Sequence, residues 1–307
     1  MKQNVLLPVI SIYLLFCFPG FALEIDILQN DLIIENSSIV EYSVSITGLD
    51  TGEYASYNWY VNDALIQSGT ESTFSFSASP IDETVYVIKV QAETTSSSAQ
   101  AECLVAVMGE NPLEFYSYLP GESDWTTMGI SAPPSTIEAL ISNNDFMIRL
   151  SNQQYYIFNN TLLAWEYSGI TAPNSIKKSF HPVGTNILAW LQDDRILGYD
   201  PINNKWLDTT MTVLTGAIDV LMSHAILVLH NSFEVYNLYS SWTNTGVVAP
   251  NKATTLLKYN SQPYVYTSDN KLYKYVSDSD SWEIQSIVIP LSIRQIFTDA
   301  DKFIVLR

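Results

Sequence analysis

Five tryptophans, Trp125, Trp165, Trp206, Trp242 and Trp282, stand 40, 41, 36 and 40 residues apart in the C-terminal part of the chain. A period near forty residues marks one supersecondary unit used repeatedly, each copy too small to bury its apolar face alone. Short phrases recur at fixed offsets from each Trp. Gly129-Ile130-Ser131-Ala132-Pro133, Gly169-Ile170-Thr171-Ala172-Pro173 and Gly246-Val247-Val248-Ala249-Pro250 follow three of them. After Trp282 the glycine becomes Ser286 while Pro290 survives, and after Trp206 both are lost. Ahead of each Trp come Tyr116 and Tyr118, Tyr156 and Phe158, Tyr199, Val235 and Tyr236, or Tyr273 and Tyr275, with a polar turn between.

Each repeat divides into four short strands. The first are expected at Ile137–Ile141, Ile176–Phe180, Ile218–Met222, Ala253–Leu257 and Ile293–Phe297. The second are expected at Phe146–Leu150, Ile187–Leu191, Ala225–Leu229, Pro263–Tyr266 and Lys302–Leu306. Third strands carry the aromatic pair and fourth strands begin at Trp. Four strands per forty residues is the pattern of a β-propeller blade. The sequence ends after a second strand, Phe303–Leu306, and the repeat region begins with a third, Glu114–Tyr116. Joined, these complete a fifth, composite blade and cover both exposed edges. The expected fold class is therefore all-β, with a propeller of five blades over residues 113–307.

Residues 23–108 have a different pattern, that of a β-sandwich. Strand-like runs lie at Glu24–Leu28, Ile39–Ile46, Tyr57–Ile66, Ser72–Ala78, Val85–Ala92 and Ala101–Met108. Alternation is clear in Tyr42-Ser43-Val44-Ser45-Ile46 and in Tyr86-Val87-Ile88-Lys89-Val90. The separators are turn-formers such as Ser68-Gly69 and Ser79-Pro80. Several short strands at this spacing within about ninety residues suit a sandwich. Gly109-Glu110-Asn111-Pro112 reads as the boundary between the two regions.

Two resemblances follow from quoted residues. Tyr199-Asp200-Pro201-Ile202-Asn203-Asn204-Lys205-Trp206 resembles the strand–turn–strand of kelch repeats, although the paired glycines of that family are missing and its propellers usually have six or seven blades. Tyr57-Asn58-Trp59-Tyr60-Val61-Asn62-Asp63, Gly69 and Val85–Val90 together resemble Ig-like modules of the polycystic-kidney-disease type. That resemblance implies that Trp59 is the core tryptophan of the sandwich. The Asp-Phe-Gly-Asp-Gly usual after that Trp is replaced here by Tyr60-Val61-Asn62-Asp63.

The first residues form an address. Lys2, the apolar run Val5–Phe18 and small residues at Gly20 and Ala22 spell a secretory signal peptide, residues 1–22, with cleavage expected after Ala22. A membrane anchor is the alternative, but the run is short for a span and no later segment is apolar enough for one. The bulky Phe16 before Cys17 argues against a lipoprotein site. Localisation is thus expected to be secreted, cell-surface or, in a Gram-negative host, periplasmic. Cleavage leaves Cys103 alone, which excludes an intramolecular disulfide. Asn36 and Asn159 begin glycosylation sequons that have meaning in a eukaryotic host.

The chain carries 14 basic and 32 acidic residues, a formal charge of −18. That balance disfavours nucleic acid and anionic membranes as partners. The charge is uneven, with net −12 over residues 23–108 and −7 over 109–307. Solubility explains it, with calcium or a cationic partner as the other reading.

Superposing the first strands yields one candidate site. The position directly after an Ile or Ala holds Glu138, Lys177, Asp219, Thr254 and Arg294. In a propeller the innermost strand of each blade lines the central channel, so these five form an expected ring. It is either a polar ligand site at the channel mouth or a self-paired plug of opposite charges. Galactose oxidase joins a kelch propeller to a sandwich, but its copper site needs Tyr, His and a Cys. The repeat region has no Cys, and His181, His224 and His230 occupy unrelated positions. Five-bladed glycosidases place an acid and a base or nucleophile around the channel, roles for which Glu138 and Asp219 are the only ring candidates. Asp278-Ser279-Asp280 and Asp299-Ala300-Asp301 resemble pieces of calcium loops without the Gly and distal Glu. With no phosphate loop, nucleophile elbow or metal-spaced His/Cys set, no metal and no cofactor are expected. The expected function is extracellular binding of protein or glycan, with a carbohydrate-active propeller enzyme as the alternative.

Overall fold

A computed structural model describes residues 23–50, 52–142, 145–181, 186–222, 226–238, 241–299 and 302–307. The signal peptide expected at residues 1–22 lies outside them, as do His224 and Asp301. The chain is all-β, and among the described residues no helix is long and apolar enough to cross a membrane. Contacts divide it into two units, the first ending at Pro112 but also taking in Phe158–Tyr167, the second comprising Leu113–Ile157 and Ser168–Arg307.

The first unit contains β1 (Glu24–Ile27), β2 (Leu32–Ile34), β3 (Val40–Thr47), β4 (Ser56–Val61), β5 (Ala64–Gly69), β6 (Thr73–Phe76), β7 (Thr84–Glu93) and β8 (Ser98–Val107). One sheet runs β1-β3-β6 and a second β2-β8-β7-β4-β5. Alternate residues of both point into a single core, where Tyr42, Phe74 and Phe76 meet Trp59, Ile88, Val90 and Val105. Trp59 is fully buried and stacks on Phe74 with ring centroids 5.5 Å apart. Cys103 is buried in the same core, where desolvation pushes its thiol up to about 12.

Two features of this unit differ from the sequence reading. The run Tyr57–Ile66 is a hairpin, not one strand, because Asn62 and Asp63 adopt φ of 49° and 65°. Short polar side chains tolerate the left-handed region, and two such residues in succession make a tight turn inside an otherwise continuous apolar run. The three-residue β2 was not apparent either. It pairs in parallel with β8, Ile33 opposite Ala106, and Asp31 just before it accepts the N–H of Leu104 at 2.8 Å. Trp165 and Glu166, from the segment Phe158–Tyr167, pair with Ile33 and Leu32 of β2. That segment lies inside the range 113–307 that the repeat occupies in sequence.

The second unit is a succession of antiparallel meanders. Its strands are β9 (Leu113–Tyr118), β10 (Thr126–Ala132), β11 (Thr136–Ser142), β12 (Asp145–Leu150) and the parts of β13 (Gln154–Asn159) and β14 (Ala164–Thr171) outside Phe158–Tyr167. They continue as β15 (Ile176–Phe180), β16 (Leu188–Leu191), β17 (Arg195–Asp200), β18 (Lys205–Thr212), β19 (Ala217–Met222), β20 (Ile226–His230), β21 (Glu234–Leu238) and β22 (Trp242–Val248). The last are β23 (Ala253–Tyr259), β24 (Gln262–Thr267), β25 (Leu272–Val276), β26 (Ser281–Ile284), β27 (Gln295–Asp299) and β28 (Lys302–Leu306). The strands of β11–β14, β15–β18, β19–β22 and β23–β26 pair in sequence order, while β10-β9-β28-β27 unites the two ends of the unit.

The repeated phrases have local causes. Tyr118, Phe158, Tyr199 and Tyr275 pack against the Trp that follows each of them, with centroids 5.1–5.4 Å apart. The indole N–H of Trp206 donates to Thr171 O at 2.8 Å, that of Trp242 to Thr212 O at 3.0 Å, and that of Trp125 to Val288 O at 2.8 Å. Each bond reaches the end of the preceding meander, so these three tryptophans tie successive sheets together. Four residues after Trp, Gly129, Gly169 and Gly246 adopt φ of 67°, 76° and 78°, a left-handed kink in the fourth strand. One residue earlier, Ser168, Thr209 and Thr245 hydroxyls donate to third-strand carbonyls at 2.7–2.8 Å and brace that kink. Seven residues after Trp, Ala132, Ala172, Val213, Ala249 and Ile289 are all buried.

Candidate functional site

Four of the first strands share a defect that β27 lacks. In β11, β15, β19 and β23 the pairing with the second strand slips by one residue, which makes Ile137, Lys177, Ile218 and Thr254 the extra residues of β-bulges. A bulge leaves its extra residue out of the ladder and re-aims the side chains around it. The residues that follow, Glu138, Lys178, Asp219 and Thr255, form one register, to which Gln295 of β27 corresponds. Their successors Ala139, Ser179, Val220, Leu256 and Ile296 are all buried.

From this register polar side chains step from one first strand to the next. Glu138 accepts the Ser179 N–H at 2.7 Å and its hydroxyl at 2.6 Å. Lys178 donates to Asp219 and, at 3.3 Å, to Val220 O. Asp219 accepts the Leu256 N–H at 2.8 Å. Gln295 accepts the Ala139 N–H at 2.8 Å and donates to Ala139 O at 3.4 Å. The remaining neighbours, β23 and β27, are in direct contact. The first strands thus follow one another in the closed order β11, β15, β19, β23, β27 and back to β11.

Both carboxylates are fully engaged. Glu138, 4 % exposed, also receives Arg149 Nε at 2.9 Å, and Arg149 goes on to Gln153 at 2.6 Å. The Ser179 hydroxyl meets the Tyr155 hydroxyl at 2.7 Å, and burial pushes the Tyr155 phenol well above its ordinary value. Asp219 is 5 % exposed, with one oxygen on Lys178 and the other on Leu256 N. Buried charges need such partners, since an unpaired one in this setting costs several kcal/mol, on the order of 3–5. The network holds the strands together and gives every oxygen of the two carboxylates a donor.

A cavity of about 1130 Å³ opens among the first strands, and Glu138, Lys177, Asp219, Thr254 and Arg294 all contribute to its wall. They do so from two registers. Glu138 and Asp219 follow the bulge and are buried, whereas Lys177 and Thr254 are bulge residues and Arg294 precedes β27. The ring drawn from the sequence therefore mixes two rows. The apolar residue used as a marker sits in the bulge at Ile137 and Ile218 but before it at Ile176 and Ala253. The accessible row is Ile137, Lys177, Ile218, Thr254 and Arg294, with Ile137 49 % and Ile218 40 % exposed. Lys177 is bound to Asp194 at 2.7 Å and lies 4.6 Å over the Trp190 ring. Thr254 donates to Tyr266 O at 3.2 Å, and Arg294 Nη1 donates to Pro134 O at 3.2 Å and Thr136 O at 3.0 Å.

The Asn36 amide donates to Pro80 O at 2.8 Å, and that of Asn159 to Glu166 at 3.0 Å, so the nitrogen a glycan would occupy is hydrogen-bonded in both. His181 lies in the cavity wall, where burial lowers its basicity, while His230 bonds to Ser232 and Thr215. Among the described residues no group of three or more His, Cys, Asp or Glu side chains is arranged to hold a metal ion. Asp280 accepts the Tyr275 hydroxyl at 2.5 Å, a turn contact.

No protein-family model matches the chain, and no curated protein matches it. Among solved structures it is similar to a quinoprotein alcohol dehydrogenase-like protein from Bacteroides thetaiotaomicron, at 14 % identity and a TM-score of 0.39 over 90 % of this chain and 76 % of that one. It is also similar to BBS1N in its complex with ARL6DN, at 11 % identity and a TM-score of 0.32 over 72 % of this chain and 70 % of that one. Superpositions this loose decide neither fold nor function.

Proposed function

We propose that this is a secreted or surface-displayed binding protein, in which residues 113–307 form a five-bladed, kelch-like β-propeller and residues 23–108 an Ig-like sandwich. Its ligand is an extracellular protein or glycan met at the mouth of the axial cavity and the adjoining loops. The closed order of first strands and the pairing of β28 with β9 support the propeller. One observation carries the choice of binding over catalysis. Glu138 and Asp219 are both buried and consumed by structural donors, while the accessible row holds no acid. A glycosidase needs one carboxyl to protonate the leaving group and a second to act as nucleophile or base. The cavity, about 1130 Å³, is walled by apolar and polar side chains in similar number, so it offers a ligand both apolar surface and hydrogen-bonding groups.

Incubating the protein with a panel of immobilised glycans and extracellular proteins, and assaying the same glycans for cleavage, tests this reading. Retention without hydrolysis is expected. Catalytic turnover on any glycan of the panel would replace it with the enzyme alternative.

A further inference from the structure

We infer that the cavity mouth binds a ligand through a single carboxylate, seated on the open edge of the Arg294 guanidinium. The inference deepens the binding reading above and rests on it. Arg294 is exposed in the cavity wall, yet its orientation is fixed. Nη1 carries two N–H groups, and these donate to the carbonyls of Pro134 and Thr136 at the entry to β11. Nε and Nη2 have no recorded partner among the described residues, and no carboxylate there forms an ion pair with Arg294. Three other cations of the wall are spent. Arg149 is held by Glu138, Lys178 by Asp219 and Lys177 by Asp194.

A guanidinium anchored by carbonyls on one side presents a ready fork of parallel N–H donors on the other, the geometry that carboxylates accept in bidentate fashion. Because the fork is already oriented, little side-chain freedom is lost when an anion docks. The charge count sets how much anion fits. Lys177 is answered by Asp194, so the accessible row offers one uncompensated positive charge. Elsewhere the chain is strongly acidic, with a formal charge of −18, and that field opposes a polyanion. A ligand with one carboxylate suits both facts. Thr254 stands on the neighbouring strand on one side of Arg294, and Ile137, half-exposed, on the other. The ligand body thus meets one hydroxyl and one apolar surface next to its charged end.

Isothermal titration with three probes tests this: a trisaccharide carrying one uronic acid among neutral sugars, its methyl ester and a simple aliphatic monocarboxylate. The expected result is that an acid probe binds and the ester binds at least tenfold more weakly. Arg294→Gln is expected to weaken the acid about 10- to 100-fold, the worth of a charge-assisted bond. Arg294→Lys keeps the charge without the fork and is expected to fall between, a second reading should Arg294→Gln misfold. Preference for the uronate places the carboxylate on a sugar, whereas equal binding of the aliphatic acid places recognition in the carboxylate alone. Ester binding as tight as acid, or Arg294→Gln without effect, overturns the carboxylate site and leaves glycan binding standing. Failure of every probe, with neutral glycans still retained on the panel, also overturns this inference alone. Failure of all of them overturns both.

Discussion

Thr210 sits four residues after Trp206, where three other repeats have glycine, and it holds the same left-handed backbone at φ 62°. A β-branched residue in that region is strained by about 1–2 kcal/mol. Glycine removes the strain but loses about 0.5–1 kcal/mol in chain entropy. The net expectation for Thr210→Gly is a stabilisation of roughly 0.5–1 kcal/mol. The reciprocal change, Gly246→Thr, places the strain where φ is 78° and costs about 1 kcal/mol or more. Steric crowding does not enter, because a Cβ built at Gly129, Gly169 or Gly246 meets nothing within 4 Å. Urea denaturation is the assay, since a shift of midpoint at constant slope isolates stability. The sites lie in different meanders, so the double variant should be additive. A destabilised Thr210→Gly, or a neutral Gly246→Thr, would refute the assignment of this phrase to backbone conformation.

Two further outcomes follow from the same geometry. Trp242→Phe and Trp282→Phe remove similar packing, but only the first loses a hydrogen bond, because Trp282 Nε1 is buried without a partner among the described residues. Trp242→Phe should therefore be the more destabilising by about 1 kcal/mol in the same denaturation experiment. Asp269 is held down from the ordinary 3.8 to about 2, first by the Thr267 hydroxyl and then by Lys271 and Lys252. Its folded value lies below its unfolded one, so its contribution is present above about pH 4 and is lost as pH falls through about 2. Carboxyl NMR should find that midpoint, and Thr267→Val should move it up towards 3.8.

How far the sequence reveals this molecule depends on the kind of feature. Period-two alternation located the strands, because a half-buried strand must alternate, and the Trp phrases marked a real kink and a buried position seven residues on. The hairpin at Asn62-Asp63 is not legible in the sequence, because both flanking strands are apolar and run together without a Gly or Pro. Bulges were invisible for a related reason. One extra residue in Ile137-Glu138 or Ile176-Lys177 changes neither composition nor length, yet it shifts every later side chain by one place. Aligning on the apolar marker therefore put buried Glu138 and Asp219 beside accessible Lys177, Thr254 and Arg294. The partners that decide the site, Arg149 on β12, Ser179 on β15 and Lys178, carry no motif at all. Their roles arise only from strands adjacent in space, 11 to 41 residues apart in the chain.

The proposed binding function requires Glu138 to be a clamp between first strands and not an acid or nucleophile. Glu138→Gln is the direct measurement, with unfolding midpoint and glycan turnover read on the same preparations. Removing the charge leaves Arg149 buried without its counter-ion, so a loss of about 3 kcal/mol in stability is expected, with no turnover before or after the change. Unchanged stability, together with a wild-type glycan hydrolysis that the variant abolishes, would contradict it.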